Sequence, residues 1–289
     1  RRRRRKEEEL TSAGHHALNH KSMRRCTVSE DQRQFPLGNF RKEVMEYKPD
    51  NEEVQHLRFL LYGWIGAGKS SFINSVATTL LGRMAIPAAV NTSDAYKTHK
   101  IKNKSYFPFV FNDIMGLEGD NNHGARTEDI KLAMKGHIKD GYKFNPISPI
   151  SEKDPHYNPH PKLDDKVHVL VCLLDVSSPE IHPLVLKKMK EVREAARDLG
   201  IPQIAIATHA DALCEEIEKN LLNVYKSKAL KKKVEFSNGV GIPLQCIMAV
   251  MNYCNGKTKI DPNMDTLILT VLKHMIDFGN DFIEEITQT

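Results

Sequence analysis

The sequence lacks a paired-cysteine framework. Its five cysteines, Cys26, Cys172, Cys214, Cys246 and Cys254, are scattered and odd in number, which argues against a disulfide scaffold and for a reducing compartment. Cys172 sits inside an apolar run, where it reads as a small buried thiol. No apolar stretch is long enough to span a bilayer, and none follows the basic start as a secretory signal requires. The expectation is a soluble, cytoplasmic protein with no transmembrane segment. Internal repeats are absent too. Nor is there a charge excess of one sign over the folded part. Removing the six positive charges of the opening RRRRRK from the net +5 leaves −1, so any polyanion signal belongs to a tail.

What is present suits one large domain with appendages: 289 residues, 40% of them apolar. Residues 1–54 read as a basic, flexible leader carrying His15, His16 and His20. Residues 1–6 would either contact RNA or acidic lipid headgroups, or form a solvated charge run balanced by the following acidic residues. The stretch 40–57 reads as one helix broken near Pro49. From residue 57 onward strand and helix patterns alternate. Continuous apolar runs at 57–62, 106–112, 167–176, 203–208 and 244–250 predict strands buried on both faces. Helical patterns fall at 70–81, 125–138, 181–199, 213–233 and 264–286, with Gly82 and Gly200 where C-caps belong. A turn at Lys102–Asn103 predicts a hairpin, hence one antiparallel edge strand on a mostly parallel sheet. The fold class expected is α/β, a three-layer domain over 55–289. Its proline-rich stretch 141–165 reads as a long surface insertion.

Residues 63–70, GWIGAGKS, fit G-x-x-x-x-G-K-[ST] between an apolar strand and a helix pattern. Gly63 and Gly68 permit a turn that aims backbone N–H groups at phosphate oxygens, and Gly66 relieves crowding within it. The following helix adds its positive N-terminal end. The predicted cradle comprises Gly63, Trp64, Ile65, Gly66, Ala67, Gly68, Lys69, Ser70 and Ser71. Lys69 would reach the β- and γ-phosphates and Ser70 would ligate Mg²⁺.

The base is read elsewhere. Asp113-Ile114-Met115-Gly116 follows the third strand, where Asp113 would hold Mg²⁺ and Gly116 would offer its N–H to a γ-phosphate. Thr208-His209-Ala210-Asp211 stands where guanine-binding proteins carry Asn-Lys-x-Asp. Asp211 would accept the N1–H and exocyclic amine of guanine, hydrogens that adenine does not offer there. His209 would lay a flat face against the base. A second reading makes Asp211 only the N-cap of the next helix. Asn252, after the last strand, would back the base. With these motifs the three-layer α/β domain is expected to be P-loop GTPase-like, and the cofactors expected are GTP or GDP with Mg²⁺.

These residues, with the stretches DGYKFNP, LLDVSS, ATHAD, MNY and IDPNMDTLILTVLKHMIDFGNDFIEE, resemble the interferon-induced protein 44 family over about 55–287. The resemblance implies a cytoplasmic, interferon-inducible GTPase-like protein linked to antiviral defence or restraint of proliferation. Longer members carry an extra N-terminal domain, for which residues 1–50 are too short.

Hydrolysis stays open between two readings. Small GTPases place a water-orienting glutamine after Asp-x-x-Gly; here Leu117 and then Glu118 stand there. An apolar side chain cannot position water, which favours a nucleotide-binding interaction module that does not turn over. Intact Lys69, Ser70 and Asp113 favour a slow GTPase. Thr92, Ser93 and Thr98 offer the switch hydroxyl that senses Mg²⁺ and γ-phosphate, Thr92 suiting the spacing best, and a homodimer through the nucleotide face would supply missing groups in trans. Arg83 and Arg126 lie near the switches but read as surface charge. His156 and His160 with Asp164 and Asp165 could suggest zinc, but they sit in a proline-rich segment that does not fix a full ligand set, and they read as non-metal. The helix at 264–286 carries surplus apolar surface near its end, suited to a partner.

Overall fold

The computed structural model of the chain describes residues 37–89, 94–120, 123–178, 180–210, 236–253 and 259–288. The elements are α1 (Leu37–Glu46), β1 (Leu57–Gly63), α2 (Lys69–Leu81), β2 (Lys97–Lys102), β3 (Tyr106–Asp113) and α3 (Thr127–Met134). They continue with β4 (Val169–Asp175), α4 (Pro183–Asp198), β5 (Gln203–Thr208), β6 (Ile247–Ala249) and α5 (Pro262–Thr287). The strands form one sheet in the order β2-β3-β1-β4-β5-β6. The β2–β3 pair is antiparallel and every other pair is parallel. This is the expected α/β architecture with one antiparallel edge strand.

The central strand explains the layering. Phe59 and Leu61 point to one face, Leu60 and Tyr62 to the other, and all four are fully buried. A strand so apolar on both sides needs cover on both. On the first face Phe59, Phe109 and Phe111 form an aromatic cluster that meets Phe72 of α2. Gly279 of α5 backs the same face, and a Cβ there would stand 3.0 Å from Leu57. Helix α5 is 26 residues long, capped by Asp261, whose side chain accepts from the N–H groups of Asn263 and Met264. It runs about 39 Å and packs on α1, α2, β1 and β4.

Several boundaries differ from the periodicity. The first helix ends at Glu46, and 51–54 form a turn instead of a second helical half. Helix α3 stops at Met134, short of 138, with Gly136 at φ 85°. The last strand keeps only Ile247–Ala249, because Pro243 opens a 3₁₀ turn over Leu244–Cys246. The helix expected at 213–233 and most of the leader lie outside the described residues.

The 141–165 segment is irregular but pinned. Tyr142 and Ile150 both bond the carboxylate of buried Asp129, and His137 stacks on Tyr157 with ring centroids 5.3 Å apart. At its far end the Asp164 carbonyl accepts from Arg58 Nε and Nη2, while the Asp164 carboxylate accepts from Gln55 and His56 N–H. His168 lies fully buried behind them. Its Nδ1 accepts from Arg58 N–H at 2.9 Å and its Nε2 sits 3.1 Å from the Leu163 carbonyl, which requires the proton on Nε2. Burial pushes this imidazole down to about 4.

Candidate nucleotide site

All the candidate loops leave the sheet at the carboxyl ends of its parallel strands, where α/β folds place ligand crevices. Between β1 and α2 the chain turns on Gly68, which is left-handed at φ 86° immediately before the helix. Helix α2 therefore starts at Lys69 with no side-chain cap, so its first N–H groups are oriented outward into the loop. Lys69 is only 8% exposed, and its Nζ reaches the Trp64 carbonyl at 3.4 Å. Burial pushes its pKa down and the nearby Asp113 carboxylate pulls it back. A lysine is rarely so buried without a paired anion. Ser70 Oγ donates to Asp113 Oδ2 at 2.6 Å, and Asp113 is fully buried at the end of β3. The helix start, the lysine and the hard oxygens of Ser70 and Asp113 thus converge. Such oxygens suit Mg²⁺, and ammonium plus outward N–H groups suit phosphate.

Gly116 is locked against the loop. A Cβ there would stand 2.5 Å from Ile65 Cγ1 and 2.7 Å from Ile65 N. The main chains pair through Leu117 N–H to the Gly63 carbonyl (2.9 Å) and Ile65 N–H to the Leu117 carbonyl (3.3 Å). Leu117 itself is buried. A pocket of about 210 Å³ opens beside it, lined by Trp64, Ile65, Glu118, Ile181 and His182 among others.

Thr208 is fully buried at the end of β5, and its hydroxyl lies 3.0 Å from both the Ala67 and Leu174 carbonyls. It braces the loop from behind. His209 follows at φ 54°, the one non-glycine positive φ among the described residues, and its Nδ1 lies 3.1 Å from Asp175 Oδ1. Asn252 Nδ2 approaches the Gly68 carbonyl at 3.4 Å, while its Oδ1 is buried with no hydrogen-bond partner. Tyr253 N–H bonds Ser75 of α2, and its hydroxyl bonds Asp265, which also accepts from Thr79. Thr92 and Asp211 lie outside the described residues. Arg126 bonds the Pro146 and Ile147 carbonyls and pairs with Glu128, and exposed Arg83 contacts the Met84 carbonyl. His156 is held by Asp154, and Asp165 by Asn158 and the Lys162 N–H. Sequence reasoning overlooked Asp175; its only signal was the Asp-Val-Ser-Ser turn after the fourth strand.

No protein-family model matches the chain. Interferon-induced protein 44 of Mus musculus is 36% identical over 259 residues, covering 86% of this chain and 61% of the relative. The chain is homologous to interferon-induced protein 44. The human interferon-induced protein 44-like is 32% identical over 254 residues (84% and 56% covered), and human interferon-induced protein 44 is 32% identical over 277 (91% and 62%). The chain thus spans about three-fifths of the length of the interferon-induced protein 44 relatives it matches. Among solved structures it is similar to Toc33 from Arabidopsis thaliana in complex with GDP and Mg²⁺. That likeness has a TM-score of 0.46 and 14% identity, covering 85% of this chain and 90% of that one; it is too slight to bear on function.

Proposed function

We propose that the chain binds a guanine nucleotide with Mg²⁺ and hydrolyses GTP slowly, as a cytoplasmic protein of an interferon-induced antiviral response. The observation that carries this reading is the convergence of buried Lys69 and Asp113 with half-buried Ser70 at the start of α2. In binding, Lys69 Nζ would exchange the Trp64 carbonyl for β- and γ-phosphate oxygens, and the N–H groups of 66–71 would close on the β-phosphate. Ser70 and Asp113, with Thr92 assigned by spacing alone, would hold Mg²⁺, which neutralises phosphate charge. Gly116 N–H would meet the γ-phosphate. Asp211 would read the guanine edge and Asn252 would back the base. The buried Leu117 side chain orients no water, so turnover through these residues alone would be slow, and pairing of two nucleotide faces in a homodimer would supply what is missing.

The same burial of Leu117 favours a second reading, a scaffold that grips nucleotide without turnover. Calorimetric titration of stripped protein in Mg²⁺ with GDP, a non-hydrolysable GTP analogue and its ATP counterpart tests the first reading. Guanine preference is expected, with Lys69→Ala weakening the GTP analogue roughly 10- to 100-fold, the loss of charge-assisted hydrogen bonds. A Lys69→Ala protein that binds as tightly as its parent sinks the assignment, and equal affinity for the adenine analogue removes Asp211 as base reader. Phosphate release from GTP, measured beside it, separates slow turnover from none.

A further inference from the structure

We propose that Asp175 is a positioning residue that sets the His209 imidazole as the stacking platform for the nucleotide base; this rests on the nucleotide reading above. Asp175 closes β4 and Thr208 closes β5, and the two are paired in register. Val176 N–H extends that ladder by bonding the Thr208 carbonyl at 3.2 Å. Asp175 is therefore fixed by the sheet. Its Oδ1 is fixed further by Ser177, whose N–H and hydroxyl donate to it at 2.8 and 2.5 Å. The same oxygen stands 3.1 Å from His209 Nδ1, so Nδ1 carries a proton and donates it. The Thr208 hydroxyl oxygen lies 3.3 Å from the same nitrogen. With Nδ1 tethered, the ring plane is set.

Two features separate this pair from an ordinary surface contact. His209 holds a left-handed backbone at φ 54°, a conformation that a side chain larger than glycine adopts against a steric penalty and that clusters at ligand clamps. Its side chain nonetheless stays 47% exposed, so packing does not explain the strain. The residue before it, Thr208, is bonded to the Ala67 carbonyl of the phosphate loop. The ring's position is thereby tied to the loop by one residue of chain. A nucleotide with its phosphates at Lys69 would extend its base along this end of the sheet. A planar imidazole whose orientation is preset by a carboxylate stacks on a purine without losing rotamer freedom at binding.

The test compares a base-bearing ligand with one that has none. Stripped protein in Mg²⁺ is titrated with GDP and with inorganic pyrophosphate. Asp175→Ala should weaken GDP about tenfold and leave pyrophosphate within about twofold. Asp175→Asn, whose amide oxygen can still accept from Nδ1–H, should recover most of the loss. His209→Ala should match Asp175→Ala, and the double variant should lose no more than either. The inference is overturned if Asp175→Ala binds GDP like its parent, or loses pyrophosphate as much as GDP, since a merely structural carboxylate acts on both. A parent protein that binds neither ligand overturns the nucleotide reading and this inference with it.

Discussion

Buried His168 makes the fold's stability depend on pH in a way that can be calculated. In the folded chain its pKa is about 4 against an ordinary 6.5, because burial disfavours the cation and Nδ1 already accepts from Arg58 N–H. Protonation would set a second N–H against that donor. Between those two values the unfolded chain binds a proton that the folded chain refuses, so stability falls as pH falls. The contribution is fully present above pH 6.5, is lost through the window from 6.5 to about 4, and is flat below it. Its full size is about 3 kcal/mol, of which about 2 kcal/mol disappears between about pH 7.5 and about pH 5. Urea unfolding of the parent and of His168→Asn across that range isolates the term. The substituted amide would still accept from Arg58 N–H yet cannot titrate, and every other ionisable group cancels in the difference. The variant should be less stable at neutral pH but should lose about 2 kcal/mol less on acidification. Identical slopes for the two proteins would refute the assignment of His168 as a buried neutral acceptor.

Two further outcomes follow from contacts of the loop. Gly116→Ala drives a methyl group into Ile65 main chain and parts the pairing of Leu117 with Gly63. It should cost about 2–4 kcal/mol from overpacking and two weakened hydrogen bonds, and an unfolding midpoint in urea equal to the parent's would contradict that. Thr208→Val removes the hydroxyl shared by the Ala67 and Leu174 carbonyls without changing shape. It should lower the melting temperature by roughly 3–10 °C and, unlike Asp175→Ala, weaken GDP and pyrophosphate together; unchanged melting would mean the carbonyls find water instead.

The strands were legible because their apolar runs are continuous, and β1, buried on both faces, is the clearest of them. The phosphate loop was legible because glycine, lysine and serine at fixed spacing have few other uses between strand and helix. The edge hairpin was readable from its polar turn, although β2 itself, KTHKIK, carries little apolar signal. Contacts made to main-chain carbonyls could not be read, because a carbonyl has no letter. Neither the Lys69 contact to Trp64, the Arg58 clasp on Asp164 nor the Thr208 brace on Ala67 appears in any spacing. The 141–165 segment read as excursion for a related reason: its pins are single contacts to distant residues, such as the Tyr142 hydroxyl and the Ile150 N–H on the Asp129 carboxylate, 13 and 21 residues away. Asp175 was missed because its partner, His209, is 34 residues on and meets it only through sheet register.

Helix α5 bears on how the protein is made. It covers β1 and β4, the central strands, with Leu267, Leu272, Met275 and Phe282 among its buried residues, yet some 200 residues of chain separate it from β1. During synthesis Phe59, Phe109 and Phe111 are all translated well before residues 262–287. Over that interval only α2 stands against this face and the part that α5 covers is open, the situation in which exposed apolar surface invites association with other chains. Helix α5 supplies that cover, so a nascent chain stalled before Pro262 would present the face without it.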